Sequence, residues 1–314
     1  MNLDFFVIFS NLAGLFIIIA TGYISVRSRI FKAENSGILS VLLVKFTLPC
    51  TIFVSLVTRE YDPNFIHDGA ILVLSGIIIF VFTLYFCKFI SRFIGIPEGT
   101  RGVWSFACAF SNTGFMGFPV ALALFGVEGL AMAVMFNISF NLTVYTLGAI
   151  EISRDNVKDP HVKLSMKAII FSNINLATVL SLIFYFSQIK LPVIILTPLT
   201  HLSNITTPLS MFIIGMALAK SKARELLTDL SVWSSAIIRL LIIPVIVFAL
   251  LEFIPLSENP LVRATIILII AMPAPSMITV LSEIYDGNTI FAAKVMFLHN
   301  LLCMFTIPVI AKLI

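Results

Sequence analysis

The chain has 314 residues, of which 59% are hydrophobic and only 11% charged, where a soluble domain carries about a quarter charged residues. So few charges cannot cover a water-soluble protein of this length, and the mean hydropathy of +1.08 agrees. The composition excludes soluble, disordered, collagenous and disulfide-scaffold classes and leaves an all-α protein that crosses the membrane many times. The net charge of +4 then becomes a question of where the cations sit relative to the bilayer, and carries no sign of nucleic-acid binding.

The N-terminus, Met1-Asn2-Leu3-Asp4, lacks the basic run of a signal peptide, so the first apolar stretch is expected to remain as a span. Windows of about 20 apolar residues predict ten helices in chain order: 5–26, 36–57, 67–93, 100–125, 127–151, 164–187, 196–219, 230–253, 259–284 and 288–311. The longest loop, around Arg154 to Lys163, divides the chain into halves at 1–157 and 158–314. The four cysteines, Cys50, Cys87, Cys108 and Cys303, fall in apolar runs without metal-ligand or disulfide spacing and read as small buried hydrophobes.

Lys and Arg mark cytoplasmic loops. The odd-numbered loops and their flanks carry 13 cations, among them Arg27, Arg29, Lys32, Lys88, Arg92, Arg101, Lys158, Lys163, Lys167, Lys222 and Arg224; the even-numbered loops carry Arg59, Lys190 and Arg263. This alternation supports a multi-pass protein of the plasma membrane with both termini outside.

The two halves resemble each other. A shift of 161 residues lays 111–136 over 272–297 without gaps, with six identities including Val134-Met135-Phe136 over Val295-Met296-Phe297. A shift of 159 lays Thr47-Leu48-Pro49 over Thr206-Thr207-Pro208. Five spans per half is an odd number, so the halves would lie in opposite orientations. Inverted repeats of this kind are typical of secondary transporters.

The fourth span is interrupted at its middle by Ser111-Asn112-Thr113-Gly114 and Gly117-Phe118-Pro119, the ninth by Pro273-Ala274-Pro275-Ser276-Met277. Glycine and proline weaken a helix, and such interruptions persist at membrane depth only where protein or a watery cavity satisfies the backbone. A half-helix that starts at mid-membrane presents its N–H groups and the positive end of its dipole, which suits a carboxylate. Ser111, Asn112 and Thr113 would add side-chain hydrogen bonds, and Pro119, Pro273 and Pro275 set the breaks.

Lys45 and Arg239 lie about 15 Å into the second and eighth spans. Buried intramembrane cations are costly. Two readings are open for each: a counter-charge for an anionic substrate, or a cation that is tied to backbone carbonyls at the broken spans or snorkels. Lys294 is expected to snorkel. No Asp or Glu is expected at mid-membrane, which argues against a cation antiporter. His299 reads as a helix–helix hydrogen-bonding group, and so do Asn137, Asn141, Asn173 and Asn175, although Asn137 and Asn141 share a face that would also suit a cavity lining. The two tryptophans need nothing beyond lipid contact. No nucleotide, zinc or other cofactor signature occurs, and no enzyme activity is expected.

Four stretches carry a family resemblance: Gly22-Tyr23 through Leu48-Pro49; Ser111-Asn112-Thr113-Gly114 through Pro119; Pro208-Leu209 through Gly215; and Ala271-Met272-Pro273 through Tyr285. The chain resembles the auxin efflux carrier family, with its bacterial malate or malonate permease-like members, of the inverted-repeat bile acid/auxin carrier type. The resemblance implies two inverted five-helix repeats, a scaffold part (spans 1, 2, 6 and 7), a mobile part (spans 3–5 and 8–10) holding the crossed fourth and ninth helices, elevator-type alternating access and a homodimer. It places a substrate carboxylate at the crossover, with Asn112 as first ligand contact. The ninth span departs from the family by offering only Ser276 after its prolines. The expected function is transport of a small organic anion, a dicarboxylate such as malate. The alternatives are proton- or sodium-coupled transport of a bulkier amphipathic carboxylate and a ligand-sensing membrane receptor. The expected site comprises Ser111, Asn112, Thr113, Gly114, Pro119, Pro273, Pro275, Ser276, Met277, Lys45, Arg239 and Asn141.

Overall fold

The computed structural model describes residues 5–32, 34–155, 173–220, 229–312 and 314. Met1 to Asp4, the boundary between the sequence halves, residues 164–172 of the sixth predicted span, and Lys158, Lys163, Lys167, Lys222 and Arg224 lie outside the described residues. Among the described residues every regular element is a helix: α1 Phe5–Arg27, α2 Asn35–Val57, α3 Pro63–Phe93, α4 Arg101–Ala109, α5 Phe118–Thr143, α6 Asn173–Ser187, α7 Val193–Lys220, α8 Leu230–Phe253, α9 Pro260–Ile270, α10 Met277–Ile284 and α11 Thr289–Ala311. Among the described residues six stretches are long and apolar enough to cross a membrane: α2, α3, Arg101–Ser153, Val193–Ala219, α8 and α11.

Local chemistry sets the helix boundaries. Asp62, Asn259 and Asn288 each place a side-chain oxygen on a backbone N–H of the first turn that follows, at 2.9 to 3.0 Å. Pro63 and Pro260 occupy first helical positions, where a missing N–H does no harm. For this reason α3 begins at Pro63 rather than at 67: the polar cap lies outside any apolar window. The stretch 101–153 is interrupted twice. Phe110 is extended (φ −101°, ψ 143°), and Gly126 adopts φ +67°, which disfavours any residue with a Cβ. Gly126 falls between the fourth and fifth predicted spans.

Five-residue π turns occur at Leu43–Thr47, Thr113–Gly117, Val144–Gly148 and Ile238–Ile242. Three of them run directly into a helix with proline at its second position, Pro49, Pro119 or Pro244. Proline cannot donate to the carbonyl four residues earlier, and the wider turn gives that carbonyl room to find another donor. At Lys45 the substitute is visible: Asn173 Nδ2 donates to its carbonyl at 3.2 Å.

Packing follows small residues and hydroxyls. A Cβ added at Gly22 would collide with the Phe212 carbonyl, and one at Gly215 with the Ile19 carbonyl, so α1 and α7 touch backbone to backbone. Thr51 Oγ1 donates to Thr206 Oγ1 at 2.7 Å, joining α2 to α7, and Phe53 meets Phe184 of α6 edge to face at 5.4 Å. Around α3, Phe80 lies 5.5 Å from both Phe110 and Phe136. Helix α8 packs on α4 and α11. Trp104 is fully buried there, its indole N–H donating to the Ser231 carbonyl (3.0 Å) and Ser234 Oγ (3.1 Å). This corrects the expectation of lipid contact alone: a buried indole needs an acceptor, and the serines of α8 supply it. Cys87, Cys108 and Cys303 are buried free thiols, while Cys50 is only half-buried.

The α1–α7 contact makes a direct test. Gly215→Leu forces overpacking, which typically costs about 1–3 kcal/mol, and is expected to lower the melting temperature of the detergent-solubilised protein. Gly14→Ala, where a Cβ meets nothing within 4 Å, is expected to leave it unchanged or higher. Fluorescence-detected size-exclusion after heating reads both.

Candidate functional site

Helix α4 ends because Phe110 turns extended, and the chain restarts only at Thr113. The Asn112 side chain caps the restart, its Oδ1 accepting from Phe115 N at 3.1 Å, while its carbonyl accepts from Gly117 N at 2.9 Å. Helix α9 ends at Ile270, and Pro273 and Pro275 carry no N–H to continue it, so the chain restarts at Met277. The two breaks meet. Asn112 N donates to the Pro273 carbonyl at 2.8 Å, and Asn112 Nδ2 donates to Ser276 Oγ at 3.2 Å. Asn112 and Pro273 are the residues that coincide under the 161-residue shift. The symmetric return bond cannot form, since proline has no donor, and the Asn112 carbonyl turns to Gly117 instead.

Arg239 lies under this junction, fully buried. Its Nη1 donates to the carbonyls of Cys108 (3.1 Å) and Ala109 (3.0 Å), its Nη2 to that of Ile270, and its Nε to that of Met272 (3.1 Å). These are carbonyls at the ends of α4 and α9, which have no intrahelical partner and carry the negative ends of two helix dipoles. Thr83 Oγ1 adds a bond to the Ala109 carbonyl at 3.3 Å.

The far ends of the two half-helices are held by carboxylates. Asp155 accepts from Gly102 N (2.7 Å) and Val103 N (2.9 Å) at the start of α4. Asp68 accepts from Ser257 Oγ (2.6 Å) and Asn259 Nδ2 (2.8 Å), and Asn259 caps α9. Each half-helix therefore has an acid at its positive end and shares one arginine at its negative end. Sequence reasoning passed over Asp68 and Asp155 because both lie at span edges, where a carboxylate reads as solvated; both are buried.

The expected site residues separate into groups. Asn112, Ser111, Thr113, Gly114, Pro273, Pro275, Ser276 and Met277 belong to the two breaks. Pro119 sits at the second position of α5 and is buried; Pro275 accepts from Ile278 N at 3.0 Å. Thr113 donates to Asn137 Oδ1 at 2.5 Å, so Asn137, half of the pair on α5, braces the first break. Asn141, the other half, donates to Asn175 Oδ1 at 2.8 Å. Lys45 has an exposed side chain. Ser111 is fully buried, and its hydroxyl has no partner among the described residues. Gly114 and Phe115 on one strand of the junction, and Ser276 and Met277 on the other, keep partial exposure where their neighbours have none, so they form its accessible edge. Lys294 does not reach only for solvent: it pairs with Asp229 at 2.9 Å. His299 Nε2 lies 2.9 Å from Ser235 Oγ, a contact between α11 and α8. Among the described residues no group of three metal-ligating side chains occurs.

Comparison with known proteins gives one consistent answer. The family model described as membrane transport protein matches residues 7–311. An uncharacterized transporter of Methanocaldococcus jannaschii is 26% identical over 286 residues, covering 90% of this chain and 91% of its own. An uncharacterized transporter of Methanothermobacter thermautotrophicus is 25% identical over 304 residues, covering 94% of each.

The cap on α4 is testable without a substrate. Burial raises the Asp155 carboxyl above its ordinary value, against the two N–H donors, which lower it. A buried N–H left without its acceptor costs about 1–3 kcal/mol. Asp155→Ala is therefore expected to lower the melting temperature more than Asp155→Asn, which keeps one acceptor. A raised folded-state value means that the contribution is full at acid pH, below the unfolded value, and declines as pH rises through the folded value. The melting-temperature gap between the parent and Asp155→Asn should narrow from acid to neutral pH.

Proposed function

Since the chain belongs to the membrane transport protein family, the auxin efflux carrier family, we propose that it is a secondary active transporter of a small organic anion, a dicarboxylate such as malate. The observation that carries this reading is the bond from Asn112 N to the Pro273 carbonyl, which brings two interrupted helices to one point. Two helical segments restart there, at Thr113 and Met277, and helix starts favour anions. The accessible edge at Gly114, Ser276 and Met277 offers backbone and a hydroxyl to a carboxylate. The charge beneath is the cation Arg239, held by carbonyls.

In this reading Asn112 and Ser276 touch the substrate directly, and Ser111, Thr113, Gly114, Pro119, Pro273, Pro275 and Met277 shape the backbone around it. Arg239 contributes positive potential through the junction, whereas Lys45 and Asn141 lie along the approach. The ten spans form two inverted repeats in the plasma membrane with both termini outside. A scaffold of α1, α2, α6 and α7 faces a mobile part that carries the junction across the bilayer in an elevator motion, within a homodimer coupled to a proton or sodium gradient. A receptor would bind the same ligand without moving it.

Purified protein in liposomes, supplied with radiolabelled di- and monocarboxylates under imposed pH, sodium and voltage gradients, tests this. Saturable uptake of a dicarboxylate is expected. Asn112→Ala is expected to weaken apparent affinity by about tenfold or more, the loss of one to two hydrogen bonds to a charged group. Binding without flux favours the receptor, and unchanged uptake by Asn112→Ala removes the junction as the site.

A further inference from the structure

We infer that Arg239 is a positioning residue: its guanidinium ties the ends of the two half-helices into one unit and so sets the geometry of the anion site above it, without touching the substrate. Arg239 is completely buried, and all three of its nitrogens are committed to backbone carbonyls. Two of those carbonyls belong to α4, one to Ile270 at the end of α9 and one to Met272 just beyond it. The Ala109 and Ile270 carbonyls, taken by Nη1 and Nη2 respectively, lie at positions that coincide under the 161-residue shift. A planar fork with two equivalent ends thus meets two equivalent helix ends, a match that an ammonium group cannot reproduce.

The tie is needed because neither break is secure alone. Each half-helix leaves its last carbonyls unpaired in an interior without water, where an unsatisfied carbonyl is costly. Two converging negative dipole ends also repel each other, and a cation between them turns repulsion into attraction. Asn112, which joins the breaks on the other side of the junction, starts only three residues after Ala109. Its bonds to Pro273 and Ser276 therefore keep their register only while the two helix ends stay together. The Arg239 side chain is filled by these carbonyls, which leaves the accessible edge at Gly114, Ser276 and Met277 as the face a ligand meets.

The inference rests on the junction being the substrate site for its affinity arm alone, and backbone amide exchange needs no substrate. In lipid nanodiscs, Arg239→Gln and Arg239→Lys are both expected to speed exchange across 108–117 and 268–278 by about tenfold or more, with α1 and α7 unchanged. Both are expected to weaken binding of radiolabelled malate, the probe used, to the same extent. Lysine keeps the charge but cannot bridge two helix ends, so the two variants separate the roles. If Arg239→Lys exchanges and binds like the parent while Arg239→Gln does not, charge alone acts and the tie is overturned; unchanged exchange in both variants overturns it as well. If both variants lose the fold, the parent protein decides. With 15N-arginine and 13C-carbonyl cysteine and methionine labels, solid-state NMR contacts from Arg239 to the Cys108 and Met272 carbonyls support the tie, and their absence overturns it. A normal exchange response with no transport of any carboxylate would overturn the substrate reading and leave the tie standing.

Discussion

A helix broken inside a bilayer leaves carbonyls and N–H groups that water cannot reach, and every other feature of this molecule's centre answers that constraint. At the end of α4 and of α9 the free carbonyls converge, and Arg239 supplies the donors for both at once. On the opposite side of the junction the free N–H of Asn112 finds the Pro273 carbonyl. Two breaks that would each be unstable alone become stable together, which is why they occur as a pair. The acids at the far ends of the half-helices complete the scheme by placing negative charge on positive dipole ends.

The same principle explains the π turns. At Leu43–Thr47, Thr113–Gly117 and Ile238–Ile242 the turn ahead of a proline widens and the orphaned carbonyl becomes available to another element, whereas Pro198, Pro208 and Pro308 sit inside α7 and α11 without such a turn. Asn173 uses this at Lys45. Arg239 itself stands in such a turn, Ile238–Ile242, ahead of Pro244. Irregular backbone in this protein is therefore concentrated where helices bond to one another, and the regular helices around it pack through glycine, hydroxyl and aromatic contacts.

Much of the fold was legible from residue type. Apolar runs located the helices, and the gap left between the fourth and fifth spans falls on Gly126, where the backbone breaks. The break at 271–276 was legible because proline acts through the backbone, which local sequence reports well; the break at 110–112 lies just ahead of the Gly114, Gly117 and Pro119 that flagged the segment. Misreadings came where a side chain's role depends on a distant partner. The start of α3 was set late because a polar cap looks like loop. The burial of Trp104 is not readable locally, since its acceptors on α8 are more than a hundred positions away. Asp68 and Asp155 are buried by partners that local sequence does not show. At Arg239 the geometry places four carbonyls around one guanidinium, an arrangement that no local pattern contains.

The sequence by itself determined that this chain is a many-helix membrane protein with two interrupted segments at matching places in its halves, because hydropathy and the backbone chemistry of Gly and Pro are local properties. It also determined the scarcity of charge. Only the tertiary structure decided what the scarce charges do. Arg239 closes two helix ends, Asp68 and Asp155 hold the two starts, and Lys294 pairs with Asp229. These assignments need distances between residues far apart in the chain, which no local pattern contains.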